Sequence, residues 1–258
     1  MKIIVCENYD EMSKEGAKIF AALLKEKPNC ILGLATGSTP VGMYQELAKL
    51  NKEGEISFKD VTSYNLDEYY PLAPDHDQSY RYFMNQNLFN HVDIDIAKTH
   101  VPDGLAEDPA AMGAAYDAEI EAAGGIDLQV LGLGPNGHIA FNEPGSSLTS
   151  RTRVKTLTTD TIIANSRFFD NDVNKVPKTA VTVGVGTVMD AKEVLILANG
   201  HNKAQALYHA VEGAITQMWT ISVLQLHPHG IIVCDDAATV ELKVGTVNYF
   251  KDIEKDNL

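Results

Sequence analysis

What most restricts the fold of this 258-residue chain is a repeated switch between short apolar, often β-branched runs and stretches whose apolar positions recur at helical spacing. Residues 3–5 form such a run, and over residues 10–27 Met12, Ile19, Phe20, Leu23 and Leu24 follow a helical period. The pattern returns as strand 30–34 and helix 40–50, then strand 61–64 and helix 80–89, then a helix over 108–123. Strands at 128–133, 181–185 and 194–197, a helix from about 202 to 212 and a strand at 230–234 complete the series. This alternation predicts an α/β fold, a Rossmann-like open and mostly parallel sheet with helices on both faces. A chain of this length buries roughly three-quarters of its unfolded surface. With no internal repeat or Pro/Ser-rich linker, residues 1–258 are read as a single domain.

Two segments break the alternation. Residues 67–79 are acidic and turn-rich, and residues 145–179 have weak periodicity and carry Arg151, Arg153, Lys155, Arg167 and Lys178. Long irregular excursions from compact domains are usually functional loops, so 145–179 is expected to be a lid or a surface insertion. The net charge of −14, with no run of Lys and Arg, argues against nucleic acid and anionic membranes as partners, while small anions are left open. Cys6, Cys30 and Cys234 lie far apart, with no metal-ligand spacing, and read as reduced thiols of a cytoplasmic protein. The first residues turn polar too soon for a signal peptide, and no apolar stretch approaches a membrane span.

In a doubly wound sheet, ligands bind beyond the carboxyl ends of the strands. Three clusters fall there. Ala35-Thr36-Gly37-Ser38-Thr39-Pro40 places Thr39 as a helix N-cap and Pro40 at the first helical position, offering loop amides and hydroxyls to an anion or forming a plain capped turn. Asn65-Leu66-Asp67-Glu68-Tyr69 sets two carboxylates after an apolar strand, either a general base or a solvated pair. In the third cluster Gly132, Gly134 and Gly137 match the dinucleotide fingerprint G-x-G-x-x-G. Pro135 interrupts that turn, however, and Pro144 stops any helix soon after. What remains is a turn presenting His138, with Asn136, Asn142 and Glu143 close by, equipment for moving protons near neutral pH. Lys203, expected in the first turn of a helix where its charge is disfavoured, and Arg167 suit an anion between them. The rival reading of each is a surface side chain in water, the more common state of a single Lys or Arg.

These motifs, together with Ala164-Asn165-Ser166-Arg167-Phe168-Phe169-Asp170 and residues 181–187 and 218–222, resemble in order those of the glucosamine-6-phosphate deaminase (glucosamine/galactosamine-6-phosphate isomerase) family over nearly the whole chain. The resemblance implies a reaction without metal or cofactor that turns glucosamine 6-phosphate and water into fructose 6-phosphate and ammonia. It assigns ring opening to His138, assisted by Glu143 and Asn136, and proton transfer from C2 to C1 to Asp67. Phosphate binding falls to Thr36, Gly37, Ser38, Thr39, Arg167 and Lys203. Asn136 stands where some members carry Asp, so it orients His138 without adding charge. Ser146, Arg153, Lys155 and Tyr249 match the allosteric site of hexameric members activated by N-acetylglucosamine 6-phosphate, and self-association is left open. The rivals are a related sugar-phosphate enzyme such as a 6-phosphogluconolactonase or pentose-phosphate isomerase, a non-catalytic sugar-phosphate sensor, which would carry a DNA-binding segment that this chain has no spare residues to form, and an NAD enzyme.

Overall fold

The computed structural model describes residues 1–255. In chain order its main elements are β1 (Lys2–Cys6), α1 (Tyr9–Glu26), β2 (Ile31–Leu34), α2 (Val41–Lys52), β3 (Thr62–Asn65), β4 (Asp67–Tyr70), α3 (Tyr80–Asn87), β5 (Thr99–His100), α4 (Pro109–Ala122) and β6 (Leu128–Gly132). They continue with β7 (Arg153–Thr156), α5 (Thr159–Ser166), β8 (Thr179–Thr182), α6 (Val185–Met189), β9 (Glu193–Ala198), α7 (Ala204–Val211), β10 (Gly230–Asp235) and α8 (Val244–Ile253). Seven strands form one sheet in the order β1-β10-β9-β6-β2-β3-β5, every neighbouring pair parallel.

Side-chain alternation along these strands builds two cores. Ile3, Val5, Leu131, Ile196 and Ile232 point to one face, where α4, α6, α7 and α8 pack, and Ile4, Cys6, Leu32, Val130 and Leu197 point to the other, covered by α1, α2 and α3. The helices have local reasons to start where they do. Asn8 caps α1 by accepting the Glu11 N–H, and Asp108 caps α4 with Pro109 at the first helical position. All three cysteines are buried free thiols, and among the described residues no helix is long and apolar enough to cross a membrane.

Three expectations are corrected. The strand expected at 181–185 is β8, Thr179–Thr182; it lies outside the parallel sheet, between β4 and β7 in a small antiparallel sheet. The turn-rich stretch from residue 67 opens with a strand, β4, because its backbone finds a partner in β8. The stretch 145–179 is likewise partly regular, holding β7 and α5. For β4 and β7, long-range antiparallel pairing with β8 overrides a weak local pattern, whereas α5 starts at the Thr158 cap.

At the amino end of the sheet one buried carboxylate joins three strands. Asp127 accepts the Ile31 N–H at 2.8 Å, Lys27 Nζ at 2.8 Å and Lys192 Nζ at 2.6 Å, while its own N–H donates to Ile31 O and its carbonyl accepts from Glu193 N–H. Burial alone would raise its pKa, but the two lysines and the Ile31 amide outweigh it and hold the carboxyl below the usual range. The sign follows: the depressed pKa stabilises the fold above the ordinary carboxylate range, and that contribution is lost as pH falls through the native-state pKa. Asp127→Ala should therefore lower unfolding free energy at pH 7 by about 1.5–3 kcal/mol, the usual value of hydrogen bonds to a charged group. Denaturant titrations should show the gap from the natural protein closing as the pH is taken below the ordinary carboxylate range.

Candidate active site

The loop after β2 is held from behind. Tyr44, fully buried on α2, accepts the Ala35 N–H at 3.2 Å and donates to Ala35 O at 2.7 Å. Tyr9 OH accepts the Gly42 N–H at 2.9 Å and lies 3.2 and 3.1 Å from the carbonyls of Ser38 and Thr39. With its carbonyls turned toward Tyr9, the loop keeps its amides free: among the described residues those of Gly37, Ser38 and Thr39 donate to no protein acceptor. Gly37 has φ +89°, and a side chain placed there would meet nothing within 4 Å. The capping expectation is corrected: α2 starts at Val41 after Pro40, and Thr39 does not cap it. The hydroxyl is left available because Pro40 itself turns the chain, with φ −79° and ψ −6°.

Strand alternation separates the two carboxylates of the second cluster. The Glu68 carboxylate accepts the amides of Tyr69 and Tyr80 at 2.9 Å each and of Arg81 at 3.1 Å, at the start of α3. Asp67 points the other way and lines a cavity of about 580 Å³. It is 6% exposed, and among the described residues its carboxylate accepts no hydrogen bond. Burial first, and the charge of Glu68 second, push its pKa well above the usual range. Neither carboxylate is the solvated loop group that the sequence left open.

The glycines of the third cluster serve side-chain packing. A Cβ on Gly134 would sit 2.4 Å from His138 Nε2, and one on Gly137, at φ +78°, 2.4 Å from the Trp219 ring. No helix follows them before α5, so the dinucleotide fingerprint is not realised. The loop is fixed by Asn142, whose Nδ2 donates to Ile139 O at 3.0 Å and Val183 O at 2.8 Å, and by the Thr220 hydroxyl, 2.9 Å from Asn142 O. Behind His138 lies Glu143, 4% exposed. Its Oε2 accepts Asn136 Nδ2 at 2.9 Å and sits 3.5 Å from His138 Nδ1. That separation is long for a hydrogen bond, and among the described residues the buried Nδ1 has no hydrogen-bond partner, so the two groups meet without a well-formed bond. Burial works to raise the Glu143 pKa, but His138, the Thr161 hydroxyl and Asn136 prevail and bring it down to about 2.

Asp67, Asn136, His138, residues 36–39, Arg167 and Lys203 all line the one cavity, with Glu143 directly behind. Lys203 and Arg167 face it, and among the described residues neither has an acidic partner. Burial, and then the nearby Arg167 charge, lower the Lys203 pKa. Two cations beside free loop amides form a place for a dianion. Lys203 lies in a short 3₁₀ turn, His201–Lys203, just before α7. Of the four residues matched to an allosteric site, none lines the cavity. Ser146 is buried, with its hydroxyl unpaired. Arg153 and Lys155, two apart on β7, share one face of the strand, Arg153 donating to Asn142 Oδ1 at 2.9 Å. Tyr249 is 59% exposed on α8, which packs on β1, and among the described residues no hydrogen bond or ring contact joins it to the other three.

Sequence reasoning missed Thr158, Thr161, Asp160, Asn165, Tyr80 and Trp219. The Thr161 hydroxyl donates to Glu143 Oε1, and Asp160, Asn165, Tyr80 and Trp219 line the cavity. The signal for the first two was a capping pattern: Thr158 caps α5 by accepting the Thr161 N–H. Among the described residues no group of three His, Cys, Asp or Glu side chains is placed to hold a metal.

Residues 7–232 match the family described as glucosamine-6-phosphate isomerases/6-phosphogluconolactonase. The chain is 62% identical over 264 aligned residues to a glucosamine-6-phosphate deaminase of Parabacteroides distasonis, covering all of this chain and 97% of that protein. It is 57% identical to one from Borrelia hermsii, covering all of this chain and 98% of that one. A solved structure of a monomeric glucosamine-6-phosphate deaminase, 41% identical, superposes with a TM-score of 0.91 over 93% of this chain and all of that one. The 6-phosphogluconolactonase of Trypanosoma cruzi, 22% identical, shares the fold with a TM-score of 0.73 over 94% of this chain and 97% of that one. The chain thus belongs to the glucosamine-6-phosphate isomerase/6-phosphogluconolactonase family.

Proposed function

We propose that the protein isomerises and deaminates glucosamine 6-phosphate, yielding fructose 6-phosphate and ammonia. One observation carries the reading: a single cavity holds an unpaired high-pKa carboxylate, a separate His–carboxylate pair and a cationic end, in a chain about 60% identical to deaminases of that name. The phosphate lies against residues 36–39, Arg167 and Lys203. His138 moves a proton between the anomeric hydroxyl and the ring oxygen, and the ring opens to an aldehyde. Glu143, with its pKa near 2, stays ionised throughout and steadies the imidazole, while Asn136 holds Glu143. Only the open chain makes the C2 proton acidic, because the C1 carbonyl then accepts the electron pair. Asp67 takes that proton, giving an enolamine, and returns it to C1, giving a ketimine at C2. Water adds to the C2=N bond, ammonia leaves and the C2 ketone remains. A raised pKa suits Asp67 to this exchange, since a carboxylate of ordinary pKa is a weak base. Residues 145–179, which carry α5 and Arg167, serve as the cover of the cavity.

Incubation of the purified protein with glucosamine 6-phosphate should release ammonia and fructose 6-phosphate in equal amounts, and absence of ammonia would overturn the proposal. Asp67→Asn should cut the rate by about 10²–10⁴-fold, as expected for loss of a general base. The same substitution should raise thermal stability at pH 7 by several degrees, on the order of 2–6 °C, because burial disfavours the ionised carboxyl and an amide carries no charge to bury. The cost of the raised Asp67 pKa is full above the native-state pKa and is lost as pH falls from there to the ordinary carboxylate range, so this gain should fade over that interval. Full activity in the mutant would remove Asp67 as the base.

Asn136→Asp would replace the donor to Glu143 with a second carboxylate, and like charges in one site resist joint ionisation. The acidic limb of kcat/KM against pH should therefore move to higher pH than in the natural protein. Superimposable profiles would show that Asn136 does not set the pH dependence of ring opening.

A further inference from the structure

The proposed reaction leaves the other oxygen of Glu143 without a role. Oε2 serves Asn136 and His138, whereas Oε1 is turned to α5, where it accepts the Thr161 hydroxyl. That hydroxyl in turn lies 3.0 Å from Thr158 Oγ1, which donates to it, and Thr158 Oγ1 accepts the Thr161 N–H at 3.3 Å. Thr158 Oγ1 also lies 3.4 Å from Oε1, at the edge of hydrogen-bond reach, so Thr161 is the close donor to that oxygen and Thr158 the distant one. The helix bearing them is docked by Asn165, whose Nδ2 donates to Tyr69 OH at 2.8 Å, and by Phe169, packed edge-on to the Tyr69 ring. Arg167 follows six residues after Thr161, roughly 9 Å further along the helix axis. One short helix thus touches the ring-opening carboxylate at its start and reaches the cationic end of the cavity at its finish.

We propose that Thr161 is a positioning residue for ring opening: its hydroxyl turns Glu143 so that Oε2 faces Asn136 and His138, and so ties that carboxylate to the helix that carries the phosphate ligand Arg167. The inference rests on the proposed function. Without the Thr161 donor, Oε1 keeps only the long 3.4 Å contact to Thr158 Oγ1, and the carboxylate rotates to shorten it, taking Oε2 away from His138.

Thr161→Val keeps the shape and removes the donor, and Thr161→Ser keeps the donor. Two quantities separate positioning from mere structure: kcat/KM for ammonia release from glucosamine 6-phosphate, and the Kd of glucitol 6-phosphate. The latter is an acyclic phosphate that needs no ring opening but still needs Arg167. In the valine variant kcat/KM should fall about tenfold, equivalent to about 1.4 kcal/mol, with glucitol 6-phosphate binding unchanged, and serine should restore most of the rate. The inference is overturned if valine leaves the rate intact or if serine fails to restore it. It is equally overturned if valine weakens glucitol 6-phosphate binding in parallel, since that marks a displaced helix and not a misdirected carboxylate. A natural protein that releases no ammonia overturns the proposed function and this inference together, whereas an active natural protein with an unaffected valine variant overturns this inference alone.

Discussion

The cavity exists because the central strands β2 and β6 pair over only two residue pairs, Leu32 with Leu128 and Gly33 with Gln129. Below that point Asp127 binds the starts of β2, β6 and β9 together; above it β2 stays with β3 and β6 stays with β9. The connections also diverge here: from β2 the chain moves on to β3 toward one edge, and from β6 the sheet continues through β9 and β10 toward the other. A parallel sheet that parts at its carboxyl end must leave a crevice at this switch point. The loops after β2, β3, β6 and β9 all end there, which is why residues as far apart in sequence as Thr36 and Lys203 line one space.

Within that space two carboxylates are driven in opposite directions by their surroundings. Asp67 has burial and Glu68 against it and no donor to offset them, so its proton affinity rises. Glu143 is similarly buried, yet His138, Thr161 and Asn136 hold it near 2. Such divergence lets one fold supply a proton acceptor and a permanent anion side by side. In the proposed reaction the field of a chain of net charge −14 is screened beyond about 8 Å, so attraction of an anionic substrate would depend on the few donors at the far end, residues 36–39, Arg167 and Lys203.

The parallel sheet was legible in the sequence because fully buried strands such as Leu195 to Leu197 read as continuous apolar runs whatever their neighbours do. The small antiparallel sheet was not, since Arg153-Val154-Lys155-Thr156 and Asp67-Glu68-Tyr69-Tyr70 become strands only through pairing with residues 179–182. The same gap hid the separation of Asp67 from Glu68, because opposite faces follow from strand geometry that the local sequence does not announce. His138 and Glu143 were found because five residues of spacing keep them together in any compact loop. Thr161 escaped notice because its partner is eighteen positions away and its own segment looks polar and irregular. The glycine fingerprint misleads for a related reason: a pattern of small residues reports close approach without naming what approaches, here the His138 and Trp219 rings.

The walls of the cavity differ in how firmly they are held. The loop after β2 is gripped by two buried or half-buried tyrosines, β4 by three amides on Glu68 and by β8, and the His138 loop by Asn142 and Thr220. In α5, by contrast, only Ser166 is buried, and the helix rests on Ile162, the Asn165 to Tyr69 bond and the hydroxyls that meet Glu143. Local opening follows the area of apolar contact, so α5 is the wall whose displacement costs least. It is also the wall that carries Arg167. In the proposed reaction, a phosphate bound between Arg167 and the fixed loop at 36–39 would add attraction where the protein supplies least of its own. Part of its binding energy would then go into seating Thr161 against Glu143, at the opposite end of the sugar from the phosphate.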